Sequence, residues 1–184
     1  MSIPKHEIDR IKSSILPLNY EVCGYLVVSE SGEITPVQAA AGSPQDARPQ
    51  CTLPHSGNYT WHSHFLGAKS YPSPEDILSV MKKRDNPAEQ KLVELIFTRW
   101  GIWEISSTGK QKFADVPAEF SYLTERVNDI YKWCNGGKTD QYDSKALTAI
   151  LAQTMKHYNR LGLSITLTPW SIIKDNYYII FPII

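Results

Sequence analysis

Two histidines separated by a single residue, His62 and His64, are the side chains in this chain best spaced to share a metal ion. In an extended backbone residues i and i+2 project from the same face, so both imidazoles can reach one ion. The nearest downstream carboxylate with a matching context is Asp76, too far along to follow on the same strand. Gly67, Pro72 and Pro74 suit a loop that folds back and returns that carboxylate to the histidines. Two imidazole nitrogens, one carboxylate oxygen and an open fourth position are the donor set of a catalytic zinc, whose vacant corner takes the water to be activated.

A bare His-x-His in a chain with five histidines is a weak signal, and its plain alternative is a satisfied core histidine. The context strengthens it. Ser73-Pro74-Glu75-Asp76 reads as a helix start, with Ser73 as N-cap, Pro74 at the first helical position and acids in the first turn. Asp76 thus reads both as a cap and as a ligand, and one helix start serves both roles.

The elements that must hold these residues follow from hydropathy patterning. Residues 58–64 form a strand with Tyr59 and Trp61 on one face and Asn58, Thr60, His62 and His64 on the other, the site side. Ahead of it, Ile8, Ile11 and Ile15 predict an amphipathic helix over 4–16, opened by Ser2 and Pro4 and stopped by Pro17. Strands are expected over 21–29 and 33–38, joined by Ser31-Gly32, and a loop region over 39–58. A second helix covers 73–84, followed by strands 91–98 and 100–106, the first apolar enough for a central strand. Trp100 and Trp103 read as core or edge cover. After Gly109 helices are expected over 117–133 and from 143 or 144 to 161, with Gly162 as a stop, then strand-like pieces over 164–168 and 177–183.

Glu21, His62-Ser63-His64 and Ser73-Pro74-Glu75-Asp76 together resemble the JAMM motif of the MPN (Mov34/JAB1) zinc metalloproteases: an upstream Glu, then His-x-His, a short loop and Ser-x-x-Asp. The resemblance spans roughly residues 1–108, and Glu21-Val-Cys-Gly-Tyr-Leu-Val-Val is similar to the family's first strand. Microbial and large-DNA-virus members are the nearest in character. Two departures stand out: Phe65 occupies the position where the family usually has Pro, and the loop to the serine is one residue longer. Ser70 is followed three residues later by Ser73 and not by an acid, so Ser73 alone fits.

The resemblance implies an MPN-like (cytidine-deaminase-like) mixed α/β fold, with a central, mostly antiparallel sheet flanked by helices. The chain reads as a core at 1–115, which by the resemblance is the metalloprotease, and a helical extension with terminal strands at 116–184, expected to dock on the core because the apolar run 177–184 would not stay solvated. The resemblance implies one catalytic Zn2+ held by His62, His64 and Asp76, with Glu21 as general base toward the water and Ser73 as oxyanion donor. The implied activity is peptide or isopeptide hydrolysis on a protein or peptide, with ubiquitin or a ubiquitin-like protein as candidate substrate. The plain alternative for Glu21 is a surface residue of a strand, although Glu is depleted in strands. Two other classes compete. One is a catalytically silent MPN scaffold of a larger assembly, binding a partner through the C-terminal helices. The other is a zinc deaminase, whose His-x-Glu and Pro-Cys-x-x-Cys signature this chain lacks.

Composition narrows the classes. With 184 residues, 42% hydrophobic and 21% charged, the chain can bury a real core as one domain or a domain with an extension. A net charge of zero gives no electrostatic reason for a nucleic-acid or membrane partner. Three cysteines without a Cys-x-x-Cys argue against a disulfide framework and for a reducing compartment. The first residues lack the apolar core of a signal peptide, and no run of apolar residues is long enough for a membrane span, so a cytoplasmic protein is expected.

Overall fold

The structure, a computed structural model, describes residues 1–43, 45, 50–55, 57–65, 70–84, 93–107, 116–133, 152–153, 156–159 and 162–179. In chain order the elements are β1 (Ser2–Ile3), α1 (Lys5–Arg10) running into a π-helical turn (Ile11–Ile15), β2 (Val22–Val28), β3 (Ile34–Ala41) and β4 (Tyr59–Ser63). They continue with α2 (Pro74–Arg84), β5 (Val93–Phe97), β6 (Gly101–Ser107), α3 (Val116–Trp133), β7 (Leu163–Pro169), a short 3-10 turn (Trp170–Ile172) and β8 (Tyr177–Tyr178). Six strands make one mixed sheet in the order β3-β2-β4-β5-β6-β7, and β1 pairs with β8 in a small second sheet. The β4–β5 pair is parallel, and every other pair in the large sheet is antiparallel. That single parallel pair follows from its connection, since a strand that returns beside its predecessor in the same direction needs a crossover element, and α2 lies in that crossover.

The sheet separates two cores, and strand alternation sorts side chains between them. Ile8, Ile11 and Ile15 pack with Leu26, Trp61, Leu95 and Phe97 on one face. The spacing of those isoleucines was read correctly, but the helix widens to a π turn at Ile11–Ile15, and Ser2, expected to open it, pairs instead with Tyr178. The opposite face carries Ile77, Val80 and Met81 of α2 and Leu123 of α3 against Ile96, Trp103, Ile105 and Ile165. His62 shares this second face with Thr60, because Trp61 between them points into the first core. Trp100 and Trp103 are buried, as expected of core residues. Trp103 also donates from Nε1 to the Ser70 carbonyl at 2.8 Å and meets the Tyr71 ring edge-on at 4.8 Å between centroids. Those contacts anchor the segment that leads into Ser73 and α2.

Residues 163–169 form the edge strand of the same sheet, paired with β6 from Gly101↔Pro169 to Ser107↔Leu163. The expected helix over 143–161 is described only at 152–153 and 156–159, where the backbone is helical, and Gly162 follows at φ 72°, a stop that glycine adopts without steric cost. The rest of that helix, residues 180–183 of the expected final strand and residues 66–69 of the loop after His64 lie outside the described residues. Among the described residues, no helix is long and apolar enough to cross a membrane.

The expectation for the cysteines is overturned as well. Cys23 and Cys51, 28 residues apart, form a disulfide with a Cα–Cα separation of 5.9 Å. An odd cysteine count with no close pair argued against one, but pairing depends on which strand faces which loop, and spacing along the chain carries no such information. Closing a loop of this size is worth about 3–4 kcal/mol by the chain-entropy account.

Candidate metal centre

The centre is built on β4, β2, β5 and the first turn of α2. β4 brings in His62, and the backbone N–H of His64 donates to the Phe97 carbonyl at 2.9 Å, which extends the β4–β5 pairing just far enough to set the second imidazole. Asp76 arrives from α2 through a reciprocal cap. Its backbone N–H donates to Ser73 Oγ at 3.1 Å, while the Ser73 N–H donates to Asp76 Oδ2 at 2.6 Å. This is the two-way bonding of a capping box, so the cap and ligand readings of Asp76 are one geometry. Asp76 Oδ1 lies 3.4 Å from His62 Nε2 and Oδ2 lies 3.3 Å from His64 Nε2.

These separations are informative. A charge-assisted N–H···O bond closes to about 2.7–2.9 Å. A tetrahedral ion with bonds of about 2.0–2.1 Å holds its donor atoms about 3.3–3.4 Å apart. The three donors lie within 4.8 Å of one another, with both histidines buried and Asp76 half-buried. The group can hold a metal ion, and two nitrogens with one oxygen suit zinc as a donor set.

Electrostatics agree with a site prepared for a cation. Burial opposes a charge on His62, but Asp76 and Glu94 outweigh it and push the pKa from 6.5 up to about 10. Burial likewise opposes ionisation of Asp76, yet His62 and His64 hold its carboxyl well below the usual carboxylate range.

Glu21 immediately precedes β2. In that strand Cys23 pairs with His62, so continuing the register by two residues sets Glu21 opposite His64, on the same sheet face. Its Oε2 accepts the Cys51 N–H at 3.1 Å, its carbonyl accepts the Gly42 N–H at 2.7 Å, and the Cys23–Cys51 bond ties both chain segments together. Gly24 is required in this arrangement. The bulge between Cys23 and Gly24 drops β3 over it, and a Cβ there would collide with the Val37 carbonyl oxygen and crowd Trp61 Nε1.

A cleft of about 310 Å³ opens at the centre, lined by Glu21, the disulfide, Thr52, Leu53, His62, Glu75, Asp76, Ser79 and Glu94. Glu21, His62 and Asp76 therefore share one cavity, whereas His64 and Ser73 are not among its lining residues. The Ser73 hydroxyl accepts the Asp76 N–H, which uses a lone pair and leaves its proton to be donated elsewhere.

The sequence reading missed the wall formed by Cys51, Thr52 and Leu53, which no local pattern marks. It also missed Glu94 and Ser79. A carboxylate within the apolar run Val93–Phe97 was the available signal for Glu94, the same anomaly that singled out Glu21. The fold and the centre together define a mixed α/β protein with a buried His-His-Asp group able to hold a metal ion. Compared with known proteins, the chain matches no family model, no curated protein and no solved structure.

Proposed function

We propose that the protein is a zinc-dependent peptide or isopeptide hydrolase of the JAMM type, with an MPN-like fold and a protein substrate whose candidates include ubiquitin and ubiquitin-like proteins. The observation that carries this reading is the convergence of His62, His64 and Asp76, whose donor atoms lie within 4.8 Å of one another, at a cleft that Glu21 lines together with His62 and Asp76. Bound zinc supplies Lewis acidity, lowering the pKa of a water and polarising the scissile carbonyl. Glu21 accepts the proton of the attacking water and returns it to the leaving amine, which makes its held orientation by the Cys51 N–H part of the chemistry. Ser73 donates its hydroxyl proton to the developing oxyanion. The division into a core at 1–115 and an extension at 116–184, with partner binding through the extension, belongs to the same reading.

Zinc quantification on protein purified without added metal, followed by a cleavage screen over ubiquitin-like fusions and linked chains, tests it. One zinc per chain and a cleavage slowed by about 10²–10⁴ in Glu21→Gln are expected. One zinc with no cleavage across the screen would favour the silent scaffold, and no zinc would remove the basis of the reading.

A further inference from the structure

The proposed chemistry gives no task to one buried acid. Glu94 is the second residue of β5, whose other four residues are apolar and wholly buried, and is itself 5% exposed. A carboxylate is almost never buried this deeply unless specific partners offset its lost hydration. A valine would fit the strand better. Two of its partners are tied to the centre. Glu94 Oε1 lies 3.0 Å from His62 Nδ1, and its Oε2 accepts the Ser79 hydroxyl at 3.3 Å. The same Ser79 hydroxyl also lies 2.9 Å from the Asp76 carbonyl, one turn of α2 back, so its single proton is shared between the two acceptors.

Strand register explains the meeting. In the parallel β4–β5 pair Thr60 lies opposite Glu94 and His62 opposite Ile96, so Glu94 shares the face of His62 and approaches its ring from the side of β5. Asp76 meets the same ring at the other nitrogen, Nε2. An imidazole that binds a metal through Nε2 must carry its proton on Nδ1, and a carboxylate acceptor at Nδ1 both selects that tautomer and fixes the ring plane. Glu94 cannot be a fourth ligand in this arrangement, because it faces the nitrogen turned away from the donor group and stands outside that group.

We propose that Glu94 is a positioning residue of the metal centre: it accepts the Nδ1–H of His62, keeps the Nε2 lone pair turned toward the ion, and is itself held in place by Ser79. The proposal rests on the reading of His62, His64 and Asp76 as ligands. It makes the centre a relay of three elements, in which α2 supplies both a ligand and, through Ser79, the brace of the residue that orients another ligand.

The test measures zinc affinity by competition with a chromophoric chelator in the full chain and in Glu94→Gln, Glu94→Ala and Ser79→Ala, with far-UV circular dichroism and thermal melting alongside. Glu94→Ala should weaken zinc binding by about 10–100-fold while the zinc-free fold persists. Glu94→Gln keeps a carbonyl acceptor and should recover part of that loss, and Ser79→Ala should cost less than either. Zinc affinity of Glu94→Ala within about twofold of the parent, whether or not its melting point moves, overturns the proposal and leaves the metal site standing. Failure of the parent protein itself to bind zinc overturns the ligand reading instead. A second measurement covers the case of a variant that does not fold: long-range ¹H–¹⁵N correlation spectra of the zinc-loaded parent should show His62 protonated at Nδ1 and coordinated through Nε2, and the reverse assignment refutes the proposal.

Discussion

On the proposed reading of the site, zinc uptake should release protons, because His62 in the zinc-free protein holds a proton that the ion must displace. Burial disfavours the imidazolium, but Asp76 at 3.4 Å and Glu94 at 3.0 Å outweigh it, and the pKa rises to about 10. Below that value the Nε2 lone pair becomes available only on loss of a proton. Each pH unit is then worth about 1.4 kcal/mol, a tenfold change in apparent affinity, from His62 alone. Between pH about 6 and about 8 the apparent zinc affinity should therefore rise by about 100-fold or more. Chelator competition across that range measures the slope, and calorimetry in buffers of different ionisation heat counts the protons. The same shifts fix the stability of the zinc-free form. His62, raised from 6.5, contributes stability that is complete below 6.5 and lost as pH rises through about 10. Asp76, lowered from 3.8, contributes stability present above 3.8 and lost as pH falls through its depressed value. With zinc removed by chelation, thermal stability should thus be greatest between 3.8 and 6.5 and decline on the alkaline side. A zinc affinity that stays flat between pH about 6 and about 8, with no proton released, would refute the electrostatic account of the centre.

Other expectations are more local. Glu21→Gln should leave zinc occupancy unchanged and lower the hydrolysis rate by about 10²–10⁴, read as single-turnover cleavage of whichever substrate the screen finds; loss of zinc instead would make Glu21 a ligand. His62→Ala or Asp76→Ala should lose zinc, whereas Cys23→Ser, Cys51→Ser and His157→Ala should keep it, as checked by metal analysis after gel filtration; His157 packs against Tyr122 at 4.2 Å between ring centroids and is not among the donors. Reducing the Cys23–Cys51 bond with a dithiol should retain zinc but slow hydrolysis, since it loosens the wall carrying the Cys51 N–H that orients Glu21; an equal rate before and after reduction counts against that role. Gly24→Ala should cost about 1–3 kcal/mol in a urea titration, because the added methyl meets the Val37 backbone of β3 first and the buried Trp61 ring beside it.

The parts of this protein that depend on neighbours in sequence could be read from the sequence. The alternation through Tyr59–Ser63 sorted His62 and Trp61 onto opposite faces, and Ser73 and Asp76, at capping-box spacing, marked the start of α2. Both signals are local, since strand alternation and a helix cap are set by backbone geometry over a few residues. The apolar face of Ile8, Ile11 and Ile15 was legible for the same reason, although the π turn within it was not, because the spacing of apolar residues does not distinguish a local π turn from continued α-helix. What lay beyond reach were pairings across the chain. Cys23 meets Cys51 because a loop folds over β2, β7 closes the sheet beside β6 from far down the sequence, and Glu94 reaches His62 because α2 returns the chain in parallel beside β4. Sequence spacing carries little of this, since closing a longer loop costs only a logarithmic increment of entropy and so leaves many partners nearly equivalent until the core selects among them. The candidate ligands were thus visible as residue types at a spacing, while the register of three strands and one helix decided which other carboxylates and which thiols stand beside them.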